Sequence, residues 1–234
     1  MKSVGLIRLN HCLDKNYTNK KEGLNNMGLN TGTWNYLDKY NILDFSKKKK
    51  AILMGEQQVW KAEDRGLSDR SLFKNYLRKN GWETESIDMG AHPLEATSLK
   101  YDLALSLPAV MLGKWDILFD FGAAEHIRDQ YNFWKNCHDL MKPGGVRIHA
   151  LPPPNSWSGH CKFRYTKNFF KTLCHNFNYK LENFEEFCCN NRDDQRLFIC
   201  KIINSELDFS KEKFNNNCMK NIEVLHGFVD NESL

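Results

Sequence analysis

Trp115-Asp116-Ile117-Leu118-Phe119-Asp120-Phe121 reads as a buried strand, and Gly122-Ala123-Ala124-Glu125-His126 carries the chain out of it into a loop. A helix follows. Asp129 is a suitable cap, and Phe133, Trp134, Cys137, Leu140 and Met141 recur at helical spacing. Pro143-Gly144-Gly145 ends that helix, and Val146–Leu151 is a second apolar strand. Strand, loop, helix, turn and strand in this order make a crossover unit of a mainly parallel sheet.

Working outward toward the N-terminus, Ala51-Ile52-Leu53-Met54-Gly55 is a short apolar run ending at glycine, which suits a buried first strand. Ser68 and Asp69 are N-cap types, Leu72, Phe73, Tyr76 and Leu77 share a helical face, and Asn80-Gly81 stops the helix. Thr84–Met89 and Tyr101–Leu107 are expected as further strands, with Pro93 and Pro108 in the connections. Residues 1–46 are rich in Asn, Lys, Gly and Thr and show no sustained period, so an irregular N-terminal arm is expected there.

Toward the C-terminus, Thr166 caps a helix bearing Phe169, Phe170, Leu173, Cys174 and Phe177. Strands near Tyr179–Phe187 and Leu197–Ile203 are expected as an antiparallel pair at the sheet edge. The fold class is therefore α/β, with helices flanking a mostly parallel sheet over residues 47–203. Residues 204–234 read as a polar tail with a short helix around Met219–Val229.

Composition narrows the function classes. The formal charge of +4 is the small difference between 33 basic and 29 acidic residues, so no concentrated positive field marks a nucleic-acid binder. No stretch is long enough to cross a bilayer, and Val4–Leu9 is too short for a secretory signal, so a cytoplasmic location is expected. The eight cysteines contain no Cys-x-x-Cys and are expected as reduced thiols. Four of them adjoin a histidine, but neighbouring side chains diverge on a helix or a strand, so no metal site is expected. The sequence assigns no oligomeric state.

In an open α/β sheet ligands bind beyond the carboxyl ends of the strands. Four loops there carry suitable groups. In Gly55-Glu56-Gln57-Gln58 the glycine lets backbone approach a ligand and the amides can bond polar edges, although an ordinary strand-ending turn would look the same. Asp88, after the second strand, is placed to accept bonds from ribose hydroxyls, the alternative being a helix cap or turn former; Asp102 could similarly hold an adenine amino group, or Tyr101-Asp102 simply starts a strand. Phe121–His126 combines small residues with Glu125 and with His126, whose neutral imidazole can take a proton; equally, Glu125 and His126 could cap the next helix. The loop Asn155–His160 adds a second imidazole at His160, with Trp157 and Tyr165 either lining an acceptor pocket or lying over the core.

The element order, the loop Phe121–His126, and Leu140-Met141-Lys142-Pro143-Gly144-Gly145 together resemble class I S-adenosylmethionine-dependent methyltransferases over roughly residues 50–203. That family has a Rossmann-like sheet and a Leu-Lys-Pro-Gly-Gly turn, here with Met141 inserted. His160–Phe170 also resembles a post-strand segment of small-molecule and sugar-type members, with Cys161 and Lys167 where that pattern has glycine and proline. The resemblance implies Gly55, Gln57, Asp88, Asp102, Asp120, Phe121 and Gly122 around S-adenosylmethionine. It implies His126 or His160 as the base, with Glu125 beside it, and a small-molecule or sugar-like acceptor. The first loop departs from the family's Gly-x-Gly-x-Gly, keeping only Gly55. Two readings follow: a methyltransferase, or a catalytically silent relative that binds or assembles with a partner.

Overall fold

Strands apolar on both faces need cover on both sides, and that requirement organises this molecule. The structure is a computed structural model and describes residues 28–60, 62–89, 99–189 and 194–225. Its main sheet has seven strands: β1 (Lys50–Met54), β2 (Glu83–Asp88), β3 (Leu99–Lys100), β4 (Trp115–Phe121), β5 (Met141–Leu151), β7 (Lys180–Cys188) and β8 (Arg196–Ile203). Their order across the sheet is β3-β2-β1-β4-β5-β8-β7. The first five are parallel, and β8 alone runs the other way, antiparallel to both β5 and β7. The expected α/β fold with an antiparallel C-terminal edge is thus present.

Side-chain alternation along β1 shows how the core divides. Ile52 and Met54 point into a layer with Phe133, Trp134, Phe169, Phe170 and Leu173 of helices α3 (Gln130–Asp139) and α4 (Lys167–Asn176). Ala51 and Leu53 point the other way, against Trp34 and Leu37 of α1 (Thr31–Lys39) and Phe73 and Leu77 of α2 (Phe73–Lys79). Helices α3 and α4 begin as expected: Asp129 accepts from Asn132 N at 2.9 Å, and Thr166 Oγ1 accepts from Phe169 N at 3.2 Å. Among the described residues no helix is long and apolar enough to cross a membrane.

Several expectations are corrected. The arm read as irregular contains α1, capped by Asn30 Oδ1 accepting from Thr33 N at 3.1 Å. Nine residues are too few to show a sustained period, and the helix is held by burial of Trp34, Tyr36 and Leu37. Helix α2 starts at Phe73 instead of at a Ser68 or Asp69 cap, because a bridge between Gln58 and Leu72 keeps the chain extended up to that point. Only Leu99–Lys100 pairs as β3, and residues 101–107 form turns. There Asp102 Oδ1 accepts from Ala104 N, and Asn136 Nδ2 of α3 donates to Leu103 O and Leu105 O, replacing ladder bonds.

The C-terminal helix lies earlier than expected. Residues 211–221 wind through one α, one π and one 3₁₀ turn, burying Phe214 and Cys218. Ile222–Val224 is then a strand, β9, pairing antiparallel with β6 (Phe163–Tyr165). Positions 226–229 of the expected helix lie outside the described residues.

Candidate active site at the carboxyl ends of the strands

After β1 the chain turns at Gly55, whose φ is +78°. A Cβ placed there would lie 3.5 Å from Ala123 Cβ, 3.5 Å from Gln57 Nε2 and 3.8 Å from Asp88 Oδ2. The positive φ suits glycine, while a Cβ there would make only ordinary contacts. The ends of β1, β2 and β4 therefore converge on this residue. Gly55 N donates to Ile87 O at 2.8 Å, and Glu56 N donates to Asp88 Oδ2 at 2.7 Å, which fixes the Asp88 carboxylate beside the loop.

The rest of this loop turns inward. Glu56 Oε2 lies 2.5 Å from Lys74 Nζ of α2, with side-chain exposures of 4% and 0%. Ser86 Oγ sits 3.2 Å from both charged groups. Gln57 is also buried; its Nε2 donates to Met54 O at 2.5 Å, and its Oε1 has no hydrogen-bond partner among the described residues. Sequence reasoning missed Lys74, although its place beside Phe73 and three residues before Leu77 was a visible sign that it faces inward.

Asp120 and Gly122 mark the end of β4. Asp120 is fully buried; its Oδ1 accepts from Ala123 N at 2.9 Å and Ala124 N at 3.3 Å, and its Oδ2 pairs with His149 Nδ1 of β5 at 2.9 Å. It therefore anchors the loop from below. Phe121 is buried against Phe119 and Phe73, with ring centroids at 5.6 and 6.0 Å. Gly122 takes φ of +98°. Asp102 stands one strand further out, past the bond from Tyr101 N to Asp88 O, and closes its own turn.

Glu125 and His126 lie in a 3₁₀ turn, Ala124–His126. Gln130 braces it from α3, its Nε2 donating to Ala124 O at 2.8 Å and Ile127 O at 2.7 Å while its Oε1 accepts from the Tyr165 hydroxyl at 2.7 Å. Lys162 N donates to Glu125 O, tying in the loop that follows β5. That loop brings His160 against His126, ring centroids 5.1 Å apart, with Trp157 packed behind it at 5.3 Å. Tyr165 and Trp157 are buried, so they support the site from the core side.

The resulting cluster is unusual in its electrostatics. Glu125 is wholly buried, and neither carboxylate oxygen has a hydrogen-bond partner among the described residues. Burial, with the neighbouring Asp120 carboxylate, holds its pKa well above the ordinary range. Glu125 Oε1 lies 3.8 Å from His126 Nε2, whose side chain is 44% exposed. Burial and the adjacent His160 lower the His126 pKa, and burial lowers that of His160, so both rings are neutral near pH 7. His160 Nε2 has no hydrogen-bond partner among the described residues. Two neutral imidazoles and a carboxylate thus face one another at the mouth of the sheet, able to accept a proton or to donate lone pairs.

No family model matches this sequence, and no curated protein matches it. Solved structures do share its fold. A 1,6-didemethyltoxoflavin-N1-methyltransferase from Burkholderia thailandensis, with 1,6-didemethyltoxoflavin and S-adenosylhomocysteine bound, superposes with a TM-score of 0.52 at 9% identity, covering 74% of this chain and 76% of that one. An S-adenosylmethionine-dependent methyltransferase from Mesorhizobium loti gives 0.52 at 15% identity, covering 73% and 96%. The N-methyltransferase NodS from Bradyrhizobium japonicum, in complex with S-adenosylhomocysteine, gives 0.50 at 13%, covering 76% and 89%. The fold is therefore the Rossmann-like one of class I S-adenosylmethionine-dependent methyltransferases.

Proposed function

We propose that this chain, with the methyltransferase fold, binds S-adenosylmethionine and methylates an oxygen or nitrogen of a small-molecule or sugar-like acceptor. The observation that carries this reading is the convergence of Gly55, Asp88 and Ala123 at three adjoining strand ends, on the loop that continues into Glu125 and His126 and meets His160. Gly55 offers backbone with no side chain in the way, Asp88 can accept from vicinal hydroxyls, and the unpartnered Gln57 Oε1 is an acceptor left over inside the loop. Asp102, Asp120, Phe121 and Gly122 complete the surround, Asp120 by shaping the loop from beneath. When bound, the cofactor supplies a sulfonium methyl for in-line displacement, a step that depends on alignment. His126 or His160, neutral at pH 7, takes the proton from the acceptor O–H or N–H, and Glu125 orients it.

A second reading is favoured by a different observation. Glu56, Lys74 and Gln57 fill the region beside Gly55, where the family's glycine-rich loop leaves space, and a silent relative would look like this.

Calorimetric titration with S-adenosylmethionine, and separately with S-adenosylhomocysteine, decides between them. The expected result is one-to-one binding at micromolar strength, about 8 kcal/mol. Once an acceptor is found, alanine at the base histidine should lower turnover on the order of a hundredfold while sparing cofactor affinity. A folded protein that gives neither heat nor a thermal shift at millimolar cofactor would establish the silent reading.

A further inference from the structure

Glu125 poses a problem that the methyl-transfer reading leaves open: a carboxylate with no exposed surface, no hydrogen-bond partner among the described residues, and a second carboxylate, Asp120, as its electrostatic neighbour. The ionised form of such a group is disfavoured, which raises its pKa, unless something positive stands beside it. His160 Nε2 is likewise buried and unpartnered, and His126 Nε2 lies 3.8 Å from Glu125 Oε1. One ligand atom from each of the three residues falls within 4.8 Å of the others.

We propose that Glu125, His126 and His160 form a binding site for a divalent transition-metal ion of the Zn²⁺ class. Two imidazoles and one carboxylate are the donor set of an open, three-ligand zinc site, whose fourth position takes water or substrate. Tetrahedral Zn²⁺ with bonds of about 2.1 Å holds its donors about 3.4 Å apart, so the ring of His126, which is partly in solvent, has only to close a short gap. The cation would take the place of the Glu125 carboxyl proton, which is released to solvent, and occupy the unpartnered His160 nitrogen. The expectation that this chain binds no metal was drawn from its cysteine spacings, and this set contains no cysteine.

The site's existence does not depend on the methyl-transfer reading, but its use does. Histidines that ligate a cation cannot also serve as the base. In their place the open position would hold an acceptor oxygen and lower its pKa, which narrows the acceptor to a hydroxyl compound.

The test uses untagged, full-length protein stripped of metal, with equilibrium dialysis against Zn²⁺ and visible absorption on adding Co²⁺. One equivalent of Zn²⁺ should bind and raise the melting temperature, and the Co²⁺ form should show the d–d bands of a tetrahedral site. H126A and H160A should each weaken binding by more than about a hundredfold, since even outer partners of a ligand are worth 10–100-fold. E125Q should melt close to wild type without metal, because burial disfavours the ionised form of Glu125 and Gln is its neutral isostere, and should lose the metal-induced rise. Folded wild-type protein that binds no Zn²⁺ at micromolar free metal would overturn the proposal. So would binding unchanged in E125Q and H126A, which would place the ion on thiols such as the exposed Cys188. Calorimetric affinity for S-adenosylmethionine, measured alongside, separates failure of this site from failure of the methyl-transfer reading.

Discussion

Lys74→Met will destabilise this protein by about 3–5 kcal/mol, the usual cost of removing one partner from a buried ion pair. Lys74 has no exposed side-chain surface, and its ammonium sits 2.5 Å from Glu56 Oε2 and 3.2 Å from Ser86 Oγ. Methionine fills nearly the same volume, so the loss is of charge compensation and not of packing. The Glu56 carboxylate would remain in a low-dielectric setting with its cation gone. Urea unfolding measures the effect, and the double variant E56L/K74M gives the contrast. Exchanging both partners for apolar residues of similar size is often neutral or stabilising, by about 1–4 kcal/mol. A single variant within about 1 kcal/mol of wild type would mean that water reaches the pair and screens it. Because Glu56 follows Gly55 directly, the double variant also asks whether this pair keeps the first loop closed to a ligand: tighter calorimetric binding of S-adenosylmethionine would indicate that it does.

Asp120→Ala should be comparably damaging, about 3–5 kcal/mol, for a different reason. Its carboxylate satisfies two backbone N–H groups of the site loop, at Ala123 and Ala124, and His149 Nδ1, all from a fully buried position. Each buried donor left without a partner costs about 1–3 kcal/mol. Loss of the first two also frees the turn that carries Glu125 and His126, so any ligand affinity at that turn should fall together with stability.

The same pair sets part of the acid limb of unfolding. Burial lowers the His149 pKa, with Arg147 assisting and Asp120 opposing. A depressed folded-state value means that the unfolded chain takes the proton first. The contribution of His149 is therefore fully present above the unfolded value, about 6.5, and is lost as the pH falls below it. In H149F that portion of the pH dependence should vanish from the denaturation midpoints, provided Asp120 retains its two backbone bonds. An unchanged slope between neutral and mildly acid pH would show that other groups govern the acid limb.

How far the sequence could be read varied with the kind of information each element carries. The unit from Trp115 to Leu151 was legible because its signals are local: an apolar run, Asp129 as a cap and helical spacing. The same holds for Thr166 and α4. Helix α3 nevertheless ends at Asp139, before the expected Pro143-Gly144-Gly145 stop, because Met141 already pairs with Trp115 as the start of β5 and the Pro-Gly-Gly lies in an irregularity of that strand. Residues 101–107 failed as a strand because Asn136, on a helix distant in sequence, supplies the hydrogen bonds that a neighbouring strand would have given. For Lys74 the sequence carried its helical position but not its partners. Its environment is set by Glu56 and Ser86 from two other elements, and a lysine on a helix is ordinarily a solvated residue.

Periodicity and turn chemistry act within a few residues, and they determined which segments become strands and helices, and hence an α/β sheet with ligand groups gathered at its carboxyl edge. Tertiary structure decided which of those groups meet. Glu125 and His126 are neighbours in the chain, but His160 reaches them only because Lys162 N bonds to Glu125 O and Trp157 packs behind the ring. Asp120 was a candidate ligand residue in the sequence and is an internal anchor in the fold, because His149 stands opposite it on the next strand. Burial, which turns a carboxylate from a solvated charge into one that needs a partner, is a property of the assembled chain, and no window of the sequence contains it.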